Sequence, residues 1–235
     1  MLTTVSRLTL DSLDRLPAHA RRCVFWEIDP AISWGSGVVS DPQFEKEAWL
    51  STVMLEWGSC GQVATLGDQP AGCALYAPPS AVPRSGLFPT SPVSADAVLL
   101  TTLRTEGVTD SNELGTQLIH AVVADLIRRG VRALEAFGIR PDGGLGSDGD
   151  GSRMSNIPFA TAARECSPET CMIQADFLTE VGFEVVAPHA RFPRLRLELN
   201  TDHGWKEDVE RALDQLLAAA AIVAERERAA LAVTC

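Results

Sequence analysis

One tyrosine, Tyr76, occurs in 235 residues, so chemistry that needs a phenol has a single place to find it. Positive charge is also scarce. Twenty Lys and Arg face 31 Asp and Glu, and the net charge of −11 excludes a general nucleic-acid or anionic-membrane surface, both of which need clustered cations. Long apolar runs are missing as well: the longest, Leu216 to Ala224, falls far below the ~20 residues that span a bilayer. The first residues, Met-Leu-Thr-Thr-Val-Ser-Arg, lack the basic start and apolar stretch of a secretory signal, so a cytoplasmic location is expected. There the six cysteines (Cys23, Cys60, Cys73, Cys166, Cys171, Cys235) are expected as thiols, scattered too widely for a disulfide framework. Zinc-type spacing is lacking too. Cys166 and Cys171 stand five apart with His189 the nearest histidine, which gives neither C-x2-C nor H-x3-H, and no metal site is expected.

What is present is enough apolar residue, 46%, to bury a real core in one large domain or one domain with additions. Alternation predicts a strand at Ser6–Leu10, a helical start at Asp11 and a second apolar piece at 23–28. Asp41-Pro42 is an N-cap with proline in the first turn of a helix running to about Trp57. Strands at Gln62–Leu66 and Gly72–Tyr76, separated by Gly67-Asp68-Gln69-Pro70, read as a hairpin. Pro78 to Pro92, with five prolines, reads as a loop. A β-type run, Ala97–Arg104, then leads through a polar turn into an apolar helix, Glu113–Arg129. Gly130 stops that helix before a strand at Val131–Phe137. A short helix from about Cys171 to Val181, with Gly182 as its stop, precedes closing strands at Phe183–Val186 and Leu195–Leu199. The last predicted element is an amphipathic helix, Trp205–Arg228, whose stripe would pack on its own domain or pair with a second copy in a homodimer. This order predicts a mixed α/β sheet rather than strict βαβ alternation.

The strand–turn–helix stretch matters because a helix start presents unpaired N–H groups and the positive end of its dipole to an anion in the turn. In the register Leu103-Arg-Thr-(x4)-Asp110-Ser-Asn-Glu-Leu-Gly115-Thr-Gln-Leu it resembles the acyl-CoA-binding core of the GNAT N-acetyltransferase superfamily. Phe177-Leu-Thr-Glu-Val-Gly-Phe183 is similar to the helix-to-strand ending of that family. The resemblance covers roughly residues 6–199. It implies a GNAT-like mixed, mostly antiparallel central sheet flanked by helices, in a domain over residues 1–200, with residues 201–235 as a C-terminal helical extension. It further implies a pantetheine arm lying as a pseudo-strand against Leu103, Arg104 and Thr105. The pyrophosphate would rest on main-chain groups of Ser111, Asn112, Leu114, Gly115 and Thr116. Of the glycines in the family's turn, Gly115 alone survives. Asp110 and Glu113 put carboxylates where phosphates are expected, although acidic residues in a first turn also stabilise the helix dipole on their own.

The resemblance implies acyl transfer from acetyl-CoA, or another short acyl-CoA, to a small-molecule or protein amine by direct attack. The alternative is a non-catalytic acyl-CoA sensor or interaction module. The position of the family's usual thiolate-protonating tyrosine is Leu178 here. The candidate bases are Glu106, after the strand, and Glu27, amid aromatic residues. Cys171 is a candidate thiol with its pKa lowered by a helix start. Each has a plainer reading, as a solvated carboxylate or a buried apolar thiol, and His120 reads as a packing histidine. Four of five tryptophans lie between Trp26 and Trp57. They anchor N-terminal helices or, with Glu27 or Glu56, form a cage for an amine. Gly144-Leu-Gly146-Ser-Asp-Gly149 matches a dinucleotide string but opens no apolar helix, and Asp148-Gly-Asp150 fails as a calcium loop. The glycine-rich connection at 138–170 is expected to be mobile and to lid the acceptor pocket.

Overall fold

The computed structural model describes residues 3–29, 41–140 and 166–199. The predicted final helix, and residues 141–165 of the glycine-rich connection expected to lid the acceptor pocket, lie outside the described residues.

β1 (Thr3–Arg7) pairs antiparallel with β2 (Gly61–Leu66), which pairs with β3 (Gln69–Ala77). The hairpin turn is shorter than the sequence reading had it. Gly67 and Asp68 alone form it, with Gly67 at φ 62°, the left-handed value a two-residue turn requires. β4 (Ala97–Thr105) runs antiparallel to β3, and β5 (Ala133–Ile139) runs parallel to β4. β8 (Arg194–Glu198) and β7 (Glu184–Ala187) complete the order β1-β2-β3-β4-β5-β8-β7. The two-residue β6 (Ile173–Gln174) joins the end of β5 in parallel. The sheet is therefore mixed and mostly antiparallel, flanked by helices, which is the architecture expected.

Strand alternation divides the core in two. Val63, Cys73, Leu75, Leu99 and Phe137 face one cluster; Ala64, Ala74, Tyr76, Leu100 and Leu134 face the other. The first face is covered by a 3-10 turn (Leu10–Arg15), α1 (Ala18–Arg22) and α2 (Pro42–Glu56). The Asp41 carboxylate caps α2, accepting from the N–H groups of Gln43 and Phe44 at 3.1 Å. The second face is covered by α3 (Ser111–Arg128), whose Leu114, Leu118, Ile119, Val122 and Leu126 recur at helical spacing and are buried.

Two expectations need correction, and the apolar piece at 23–28 forms turns. The first strand begins at Thr3 rather than Ser6, because its edge pairs with β2 from Thr3 against Leu66. The late helix is broken in two: α4 (Pro168–Cys171) and α5 (Ala175–Glu180) are separated by an extended Met172 and by β6. Backbone pairing with the end of β5 outweighs helix propensity there. Among the described residues, no helix is long and apolar enough to cross a membrane.

Candidate functional site

The parallel register between β4 and β5 is confined to Ala97–Leu99 against Ala133–Glu135. Past Leu99 the two strands are unpaired with each other, although β4 continues to Thr105 and β5 to Ile139. The β3 partners step from Thr102 to Leu100, which leaves Thr101 as a bulge residue where β4 leaves β5. Thr101 is buried, and its hydroxyl donates to the Leu75 carbonyl at 3.1 Å. Beyond the bulge, the Arg104 carbonyl faces Gly72 of β3, and the Glu106 N–H donates to Ala71 O at 2.8 Å. By alternation, Leu103 and Thr105 turn their N–H and C=O groups into the wedge.

On the other wall, Gly138 and Arg140 donate to Pro193 and Arg191 on the β8 side, so the Ile139 backbone turns to the opposite edge of β5, where Ile139 pairs with Gln174. β6 therefore enters the open end of the wedge along β5. The mouth is bridged by Arg104, whose guanidinium donates to Thr170 O at 3.0 Å and pairs with Glu106 at 2.9 Å. Behind it the Phe177 ring leans on Gly115. A Cβ at that glycine would stand 3.0 Å from the ring and 3.6 Å from Leu103, so its missing side chain serves packing as well as any ligand.

The wedge opens toward the start of α3. Asp110 is the N-cap, its carboxylate accepting from the Glu113 N–H at 2.9 Å, and Leu114 N–H reaches Asp110 O at 3.4 Å. Gly115 and Thr116 lie inside the i→i−4 ladder. The first-turn amides that neither the ladder nor this cap engages are those of Ser111 and Asn112.

The remaining candidates lie elsewhere. Glu27 is buried and forms an ion pair with the equally buried Lys46. Burial pushes the Glu27 carboxyl up with Lys46 opposing, while Lys46, which burial would push down, is held up by Glu27. Tyr76 is buried on the α3 face, where its hydroxyl donates to the buried Asp125 at 2.8 Å. Burial, then this hydrogen bond, raises its pKa. Leu178 is fully buried, His120 and Glu56 are exposed, and burial pushes the thiols of Cys60 and Cys73 up to about 12. Trp26 stacks on Phe88 and Phe137, and Trp57 lies under Arg129. Both therefore anchor structure.

Cys171 does not face solvent. Its sulfur lies 3.6 Å from that of Cys23 and 3.5 Å from His19 Nε2, and Cys166 lies 3.6 Å from Cys23. The neighbouring Cys166 and Cys23 thiols hold the Cys171 sulfur well below the ordinary thiol range, while Cys171 and Cys23 push the Cys166 thiol up. The sequence signal for this cluster was His19-x3-Cys23, one helical turn of ligand-type residues, which spacing rules built on cysteine pairs pass over.

No protein-family model and no curated protein matches the chain. Solved structures do. A candidate acetyltransferase of the GNAT family from Desulfovibrio desulfuricans is 19% identical over 85% of this chain and all of its own, with a TM-score of 0.44. PaiA N-acetyltransferase from Thermoplasma acidophilum, solved with coenzyme A, is 11% identical over 84% of this chain and 99% of its own, at 0.46. The yncA protein of Salmonella typhimurium, a candidate acetyltransferase solved with acetyl-CoA, is 10% identical over 85% and 95%, at 0.48. Such values leave substrate and activity to this chain's own geometry.

Proposed function

We propose that the chain is a divergent GNAT-type acyltransferase that binds acetyl-CoA or another short acyl-CoA and passes the acyl group to an amine in a ternary complex. The observation that carries this reading is the wedge: β4 and β5 part after Leu99, a bulge sits at the parting point, and Leu103 and Thr105 offer backbone groups to the gap. A pantetheine arm has amides spaced to pair with such an edge, and the wedge leads it from the bulge to the first turn of α3. Seated so, the thioester lies near Thr101 and the diphosphate at Ser111 and Asn112.

The amine nitrogen then attacks the thioester carbonyl carbon. A C–N bond forms, the C–S bond breaks with its electron pair going to sulfur, and the surplus amine proton passes through water to the departing thiolate. Main-chain N–H groups at the parting point stabilise the charge that develops on the carbonyl oxygen. Glu106 stands five residues past the bulge, about 16 Å along an extended strand, at the diphosphate end of this path. Glu27 is engaged with Lys46 and Cys171 with the thiol cluster. Proton transfer is therefore assigned to water rather than to any of the three.

A second reading, an acyl-CoA sensor, is favoured by one observation: the buried, apolar Leu178 offers no proton to a leaving thiolate. Calorimetry with acetyl-CoA, followed by free-thiol release across a panel of amines, tests both. Saturable binding with thiol release supports transfer, and tight binding without release supports the sensor. Absence of any saturable binding would overturn the cofactor seat itself.

A further inference from the structure

We propose that His19, Cys23, Cys166 and Cys171 form a mononuclear, four-ligand site for a zinc-type divalent cation. All four ligand atoms lie within 4.8 Å of one another. A tetrahedral zinc with sulfur at ~2.3 Å and nitrogen at ~2.05 Å separates its sulfurs by about 3.8 Å and sulfur from nitrogen by about 3.5 Å. The observed separations are 3.6 Å for Cys23–Cys171 and Cys166–Cys23, and 3.5 Å for Cys171–His19. A disulfide would need ~2.05 Å, so no two of these sulfurs are bonded. Three sulfurs and one imidazole nitrogen at one point are a soft, tetrahedral donor set, which selects zinc over magnesium or calcium.

The surroundings fit a thiolate-rich ion. Zinc with three thiolates and a neutral imidazole carries one net negative charge, which burial makes costly unless it is compensated. Arg84 is buried on the same face, where its Nε donates to the Phe25 carbonyl. Its Nη1 has no hydrogen-bond partner among the described residues.

Local structure presents the ligands without strain. His19 and Cys23 sit one turn apart on α1, where the Cys23 N–H donates to His19 O at 2.8 Å. Ser167 caps α4 with Pro168 in its first turn, and that single turn carries Cys171 back over Cys166. With every position filled by protein the site is structural rather than catalytic. It ties the five-residue α1, too short to hold its shape alone, to the segment that runs into β6. It thereby fixes the far wall of the wedge, and it stands whether or not the wedge binds acyl-CoA.

The test uses the full chain, without a histidine tag, purified under reducing conditions, with zinc measured by mass spectrometry and cobalt(II) as the optical probe. Expected are about one zinc per chain and a cobalt complex with thiolate charge-transfer absorption and tetrahedral ligand-field bands. Cys166→Ser, at the half-buried ligand, should lower the charge-transfer intensity by about a third as three thiolates become two. Cys166→Ser/Cys171→Ser should lose the metal, and Cys60→Ala, which removes a buried thiol outside the cluster, should keep it. Wild-type protein that takes up no more zinc than the double variant would overturn the proposal. So would octahedral cobalt, or charge-transfer absorption unchanged by Cys166→Ser. Should the double variant fail to fold, the wild-type and Cys166→Ser spectra decide alone.

Discussion

The two faces of the sheet solve burial in different ways. The α3 face is covered by one long helix with a regular apolar stripe. Its main buried charge, Asp125, is held at the rim by Arg7, Arg128, Arg129 and the Tyr76 hydroxyl. The opposite face is assembled from short pieces far apart in sequence and encloses the Lys46–Glu27 pair, Arg84 and the thiol cluster. The contrast shows where specificity is placed. A regular helix needs only periodicity to find its seat, whereas irregular segments need directional, polar contacts to fix one arrangement among many.

The largest effect should come from the irregular face. Lys46→Met strands Glu27 without its partner and should cost about 3–5 kcal/mol in urea unfolding, while Lys46→Met/Glu27→Leu should recover most of it. A double variant as unstable as the single one would break the comparison, since the pair would then not be the source of the loss. On the α3 face, Leu118→Ala should cost about 3 kcal/mol by leaving a cavity against Gly72 and the strands.

Asp110→Ala sharpens the comparison at the wedge, where stability and ligand affinity should move in opposite directions. Loss of the cap should cost about 1 kcal/mol, and acetyl-CoA affinity should rise because a carboxylate leaves the anion seat, both readable by thermal shift and calorimetry. The smallest effect concerns pH. Burial works to raise Glu135, but hydrogen bonds from Ser94 and Arg194 prevail and its folded-state pKa is lowered. Its contribution is therefore present above the usual carboxylate range and lost as pH falls through the lowered folded value. Glu135→Gln should flatten the acid limb of a stability–pH curve.

Much of the fold was legible because it is written in local signals. The Asp41-Pro42 cap, the 3.6-residue stripe from Leu114 to Leu126 and the stops at Gly130 and Gly182 each lie within a few turns of chain. The wedge was legible only by resemblance, since nothing in the run from Ala97 to Arg104 says that its partner leaves after Leu99. The broken late helix was misread because Ile173 and Gln174 carry no strand signal of their own. The end of β5 supplies one. The thiol cluster escaped because its halves stand more than 140 residues apart, and a search along the chain compares neighbours.

Sequence alone determined which residues are helix and which are strand over most of residues 41–140, because propensity, capping and periodicity act over a turn or two of backbone. Tertiary structure decided the chemistry: which strands part, that Glu27 and Lys46 meet, and that His19, Cys23, Cys166 and Cys171 converge. Those outcomes depend on distances between segments remote in the chain, and such distances exist only once the sheet has brought the segments together.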